Sequence, residues 1–181
     1  MNKITLPLKI EKDLLLIQPS LDISENLLKA LSESFSTHSE YLKWAVENPT
    51  LQDIESSIKK SLADYQNEFA EQKIYIIDER SQDIVGCIGV RPIKKERYCI
   101  GYWCSDFYSG KGLMSISLKS VLNELSESSF YLTTASRNIR SIRLAEAAGF
   151  KKIRTLRPPI SIHTPDNTII YKVNPKRIIG R

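Results

Sequence analysis

The sequence is poor in the residues that most often announce chemistry or cross-linking. Cys87, Cys99 and Cys104 are its three cysteines, with no CxxC pair, and its two histidines, His38 and His163, lie far from them. That excludes a disulfide framework and gives no zinc-ligand spacing, so buried, reduced thiols and no metal site are expected. Long apolar runs are missing too: none approaches the roughly 20 residues that span a bilayer. The opening MNKITLPLKIEKDLLL breaks its apolar residues with charge and makes a poor signal peptide. A cytoplasmic protein with no membrane partner is the expectation. There is no repeat, no low-complexity tract and no Gly/Ser linker, so one domain over 1–181 is expected.

Charge is where the sequence becomes informative. Residues 1–90 hold 9 Lys+Arg against 15 Asp+Glu, and residues 91–181 hold 17 against 6. A balance of −6 is therefore followed by one of +11, which points to an anionic partner for the second half. Nucleotide phosphates and RNA both qualify.

Periodicity supplies the elements. DLLLIQ (13–18) reads as an opening strand, followed by a helix with Leu27, Leu28, Leu31 and Phe35 on one face. SEYLKWAVEN (39–48) reads as a short second helix stopped by Pro49. Thr50 is a good N-cap, with Asp53 placed for the helix dipole. Leu51, Ile54, Ile58, Leu62, Tyr65 and Phe69 then form one helical stripe. The segments 73–78, 83–93 and 97–104 are β-branched and aromatic, separated by polar turns, and read as three consecutive antiparallel strands. Met114, Leu118, Val121, Leu122 and Leu125 mark another helix, 129–135 a strand, and 138–150 a helix from Asn138 to Gly149. A last strand covers 168–173. The order β–α–α–α–β–β–β–α–β–α–β argues an α+β fold on a mixed, mostly antiparallel sheet.

Between a strand and a helix stands DFYSGKGLM, with Gly110 and Gly112 around Lys111. The first amides of a helix have no internal partners, and its dipole favours negative charge. A P-loop is excluded, because Gly112 follows Lys111 where Ser or Thr is required and Ser105 stands where another glycine is needed. A GxGxxG dinucleotide fingerprint is excluded by Ser115. An ordinary turn and a phosphate cradle both remain.

GYW, then GKG, then NIRSIRLAEAAGF about 25 residues on resembles the GNAT acetyltransferase superfamily, and within it the RimJ/RimL branch that acetylates ribosomal-protein N-termini. LLLIQP, EYLKWA and the element order extend the resemblance over nearly the whole chain. The resemblance implies a GNAT-like sheet with helices on both faces, and acetyl-CoA as cosubstrate. The GYWC strand, with Trp103 and Cys104, would splay from its neighbour to pair with the pantetheine arm. Ser109, Gly110, Lys111, Gly112, Leu113 and Met114 would form the pyrophosphate loop. Asn138 would contact the pantetheine arm, and Ser141 would lie near the thioester sulfur and act as acid. The chain departs from the family at Ser109, where Gln or Arg is usual, and at Met114, where Gly or Ala is. Ser115, Ile116 and Ser117 replace the branch's Thr-Glu-Ala, and the tail KKIRTLRPPISIHTPDN lacks its Asp-then-aromatic ending.

Acetyl transfer needs a neutral amine, a stabilised oxyanion and a protonated leaving thiolate. An α-amine has pKa near 8 and a lysine near 10.4, so an enzyme without a strong base can still acetylate an N-terminus at pH 7. Asp106, His38 and Glu40 stand as weak candidates for a base, beside a water relay. The expected reaction is direct attack in a ternary complex on a protein N-terminal α-amine, a ribosomal protein included. A small-molecule amine and a non-enzymatic RNA- or ribosome-associated module are the alternatives. Arg137, Arg140 and Arg143 suit either RNA or the 3′-phosphate of CoA, but no aromatic-interleaved basic stretch is present. DNA is not expected, and a homodimer stays open.

Overall fold

A computed structural model describes residues 4–157 and 166–175. Eight strands form one sheet in the order β1-β2-β3-β4-β5-β6-β8-β7. They are β1 (Leu8–Ile10), β2 (Leu14–Ile17), β3 (Gln72–Asp78), β4 (Ile84–Lys94), β5 (Arg97–Cys104), β6 (Ser129–Ala135), β7 (Lys151–Leu156) and β8 (Thr168–Val173). All neighbours are antiparallel except β5 and β6. The helices are α1 (Ser24–Glu33), α2 (Phe35–Ser39), α3 (Leu51–Asp64), α4 (Leu113–Glu124) and α5 (Ile139–Ala147).

The sheet is covered on both faces. β4 reads IVGCIGV over its first seven residues, all of them buried, as befits a central strand with no solvent face. One core gathers Leu118, Val121 and Leu122 of α4 and Ala145 of α5 against Ile88, Ile100, Phe130 and Leu132. The other gathers Leu27 and Ala30 of α1 and Ile54 and Ile58 of α3 against Tyr75, Cys87 and the partly buried Trp103. β5 divides its side chains between the two faces by alternation, Tyr102 and Cys104 toward α4 and α5, Trp103 toward α1 and α3.

The caps form as the residue types require. Thr50 and Asp53 make a reciprocal capping box on α3. Asn138 caps α5, and Gly149 follows it at φ 89, a left-handed position suited to glycine. Three expectations need correcting. The helix over 39–48 does not form: α2 ends at Ser39, and successive turns follow, with Leu42 N–H on His38 O and Ala45 N–H on Leu42 O. Contacts of Trp44 with His38 and Trp103 draw this segment over the sheet, and tertiary packing overrides a weak helical preference. The α3 stripe is shorter than its spacing implies: Ile54 and Ile58 are buried, but Phe69 lies beyond the helix at 78% exposure. Finally, β1 and β7 are edge strands that the sequence reading did not identify. Residues 158–165, within the tail noted above, and His163 fall outside the described residues, as does the start of the N-terminal segment.

Candidate active site

The sheet opens at its one parallel junction. β5 pairs with β6 only from Arg97–Ser129 to Ile100–Leu132. Beyond that, β6 stays with β8 as far as Ala135, while β5 stays with β4 as far as Cys104. Residues 101–104 therefore have no neighbour on the β6 side. Ser105 N–H reaches back to Val85 O at 2.9 Å. By strand alternation, the main-chain groups of Tyr102 and Cys104 turn the other way, into the slit. One of them is taken: His38, 5% exposed, meets Cys104 O through Nε2 at 3.0 Å.

A cavity of about 860 Å³ lies on the α4/α5 side of this slit. β5 contributes Tyr102, Trp103 and Cys104; the following loop contributes Ser109, Gly110 and Gly112; α4 contributes Leu113 and Met114; α5 contributes Asn138 and Ser141. Of the residues expected from sequence to hold the cofactor or act as acid, the structure brings together all but Lys111. That ammonium turns away, 4.1 Å from the Phe107 ring centroid and 5.2 Å from that of Tyr108.

The loop is built as a cradle. Gly110 and Gly112 both have φ 77, a left-handed conformation that glycine adopts without strain. Gly112 is the N-cap of α4 and offers no side-chain cap. Ser109 N–H bonds Asp106 O and Ile116 N–H bonds Gly112 O, but the six amides between them find no main-chain acceptor among the described residues. A Cβ built on either glycine meets nothing within 4 Å. Arg140 and Arg143 line the same cavity, so its charge is positive apart from Asp106.

Asn138 Oδ1 accepts from Ser141 N–H at 3.0 Å, holding the first turn of α5 toward the slit. The Ser141 hydroxyl then lies 2.7 Å from the Tyr102 hydroxyl, which also reaches Ser141 O at 3.1 Å. Burial pushes the Tyr102 phenol up to about 12, partly offset by the Ser141 hydrogen bond. Tyr102 was not singled out from sequence. Alternation along GYWC places it opposite Trp103, but its partner on α5 is visible only in three dimensions.

The remaining candidates take structural places. Asp106 Oδ2 accepts from Thr37 Oγ1 at 2.7 Å, and Asp106 N–H donates to Ser34 Oγ at 3.0 Å, tying the end of β5 to α2. Glu40 pairs with Arg137, which also pairs with Asp166 and lies over the Tyr41 ring. The three arginines thus separate, Arg137 into this network and the other two to the cavity. Among the described residues, no group of His, Cys, Asp and Glu could hold a metal, and no helix is long and apolar enough to cross a membrane.

A second cavity, about 500 Å³, opens on the α1/α3 face. It shares Tyr102, Trp103, His38 and Leu42 with the first, so the two approach one another across the slit. Trp44, Glu71, Gly89 and Gly101 line it. The sequence reading assigned none of these four to a site, since each is unremarkable until β3, β4 and β5 lie side by side.

A family model, the acetyltransferase (GNAT) domain, matches residues 14–151. The chain belongs to the GNAT acetyltransferase family. It is an acetyltransferase, and its architecture is the family's. The microcin C7 self-immunity acetyltransferase MccE, solved with acetyl-CoA and AMP, superposes with a TM-score of 0.81 at 22% identity, over 91% of this chain and 93% of that one. RimL, the ribosomal L7/L12 α-N-protein acetyltransferase, solved with coenzyme A, gives 0.81 at 14% identity, over 91% and 96%. The ribosomal-protein-S5-alanine acetyltransferase from Vibrio fischeri gives 0.77 at 12% identity, over 93% and 97%. At these identities the likeness concerns the fold. No curated protein sequence matches the enzyme.

Proposed function

We propose that the enzyme transfers an acetyl group from acetyl-CoA to a primary amine, by direct attack with both substrates bound. The observation that carries this is the pair of cavities on opposite faces of the sheet, which approach each other where β5 parts from β6. A donor on one side and an amine on the other can then meet without a covalent enzyme intermediate.

The residues fit acetyl-CoA. Free amides from Gly110 to Ser115, aided by the α4 dipole, would hold the pyrophosphate. The open edge at Tyr102 and Cys104 would hydrogen-bond the pantetheine arm, and Arg140 and Arg143 suit the 3′-phosphate. Acetyl-CoA supplies the activated acetyl group when bound. The Ser141–Tyr102 pair stabilises charge developing on the leaving sulfur. The Ser141 hydroxyl would donate to that sulfur, backed by the Tyr102 phenol, which burial pushes up to about 12 and so keeps protonated. The pair acts as a hydrogen-bond donor, and the proton shed by the attacking amine completes the exchange.

For the acceptor, the ribosomal-protein acetyltransferases among the structural neighbours support a protein N-terminus. The size of the second cavity, about 500 Å³, supports a small amine.

The pH profile tests the amine's role. kcat/KM should rise with pH through the acceptor's own pKa, near 8 for an α-amine. Tyr102 keeps its proton below about 12 and loses it only as pH rises through that value, so no descending limb is expected below about pH 10. Initial rates with excess acetyl-CoA provide the measurement. A profile whose midpoint does not move when the acceptor's pKa is changed would assign the titration to the protein and contradict this reading.

A further inference from the structure

The floor of the second cavity is unusual for a central sheet. Lys73, Gly89 and Gly101 pair in one row across β3, β4 and β5, and Tyr75, Cys87 and Trp103 pair in the next row on the same face. The second row carries full side chains, with Tyr75 3% and Cys87 4% exposed. The first row has two adjacent glycines: the Glu71 side chain covers Gly89, and Gly101 leaves bare backbone beside the Trp103 indole. Above it, Trp44 is 52% exposed, 6.4 Å from Trp103 between ring centroids and inclined at 62°. The bare backbone and the two indoles form a shallow slot, flat below and aromatic at the side.

One end of the slot is acidic. The Glu71 carboxylate stands directly over Gly89, where a Cβ would come within 2.8 Å of its Oε1. Asp53 lies on the same cavity but is engaged in the α3 capping box, which holds its carboxyl below its usual value through the hydrogen bonds from Thr50. Lys73 is the one cation on the lining. The donor cavity carries Arg140 and Arg143 and the acceptor cavity carries Glu71 and Asp53, so the two cavities are of opposite charge.

We infer that the acceptor is a small amine bearing a planar ring, the ring lying over Gly101 against Trp103 and Trp44 and the ammonium directed by Glu71, at the Gly89 end, before it loses its proton. Gly101 leaves room for a ring, since nothing lies within 4 Å of where its Cβ would be, while the Glu71 side chain over Gly89 closes that end of the slot. The indoles offer edge and face contacts to the ring. A polyamine would leave the aromatic wall unused. This inference rests on the acetyl-transfer reading and sharpens its small-amine form.

Gly101→Val is the decisive variant. Its Cβ would meet nothing within 4 Å, and a β-branched residue suits a strand, so the fold is kept while the floor is filled. Acetyl transfer to tryptamine and phenethylamine would be compared with transfer to spermidine and to a Ser-Ala-Ala tripeptide amide. CoA affinity and melting temperature would be measured alongside. Ring amines should exceed both competitors at least tenfold in kcat/KM. Gly101→Val and Trp44→Ala should each lose at least tenfold on ring amines with CoA affinity unchanged. Preference for spermidine or the tripeptide, or unaltered ring-amine kinetics in Gly101→Val, would overturn the inference and leave acetyl transfer standing. If the wild-type enzyme does not bind CoA, both fall together.

Discussion

Ser141→Ala is expected to lower kcat on the order of 100-fold or more while leaving the KM for acetyl-CoA nearly unchanged, the usual cost of losing one donor to charge that develops in the transition state. Ser141 and Tyr102 both line the cavity with their hydroxyls 2.7 Å apart, and removing the serine hydroxyl would take away the donor proposed for the leaving sulfur. A merely structural Ser141 would behave differently. Tyr102 could still donate to Ser141 O, 3.1 Å away, so its phenol would not be orphaned. Stability would then fall by about 1 kcal/mol at most, with turnover preserved. Tyr102→Phe is the companion: it keeps the ring and removes the second hydroxyl, and should lower kcat by a smaller factor, about tenfold. Steady-state kinetics on both variants, beside their melting temperatures, separate the two roles. Wild-type turnover in Ser141→Ala would remove the residue from the chemistry and pass the task to another side chain or water.

Gly112→Val is expected to weaken CoA binding at least tenfold. Two effects have to be distinguished. At φ 77 any β-carbon is strained, by roughly 1–2 kcal/mol. Valine also adds bulk above the free amides, where the protein itself offers nothing to clash with within 4 Å. Gly112→Ala carries the strain with little of the bulk. The melting temperature should therefore fall for both variants by a similar few degrees, about 2–4 °C per kcal/mol at this chain length. CoA affinity should fall much further for valine. Equal affinity in wild type and Gly112→Val by titration calorimetry would make the loop an ordinary turn.

The legible part of this protein was the local part. RYCIGYWC reads as a strand because it carries Tyr98, Ile100, Tyr102 and Trp103, aromatic and β-branched residues that favour strands, and Thr50, Asn138 and Gly149 announce helix ends through capping chemistry that acts over three residues. The glycine loop and α5 could be placed at the site because the motif fixes both. What stayed hidden depends on pairing across distance. Trp44 looks helical in sequence, yet His38 and Trp103 pull it into a turn over the sheet. Gly89 and Gly101 form a floor only because β4 and β5 pair in that register, 12 positions apart. Lys111, the most conspicuous residue of the loop, turned toward Phe107, because a flexible ammonium follows the nearest aromatic face while the backbone amides remain fixed.

The most direct test of the account is the melting temperature of the wild-type enzyme with and without CoA. At 100-fold excess over its dissociation constant, a ligand of the folded state adds about 2.7 kcal/mol. For a chain of this length that corresponds to a rise of roughly 5–11 °C. Such a rise with CoA is the predicted result. An unchanged melting curve at millimolar CoA would contradict the assignment of the Gly110–Gly112 loop and the open β5 edge as the donor site.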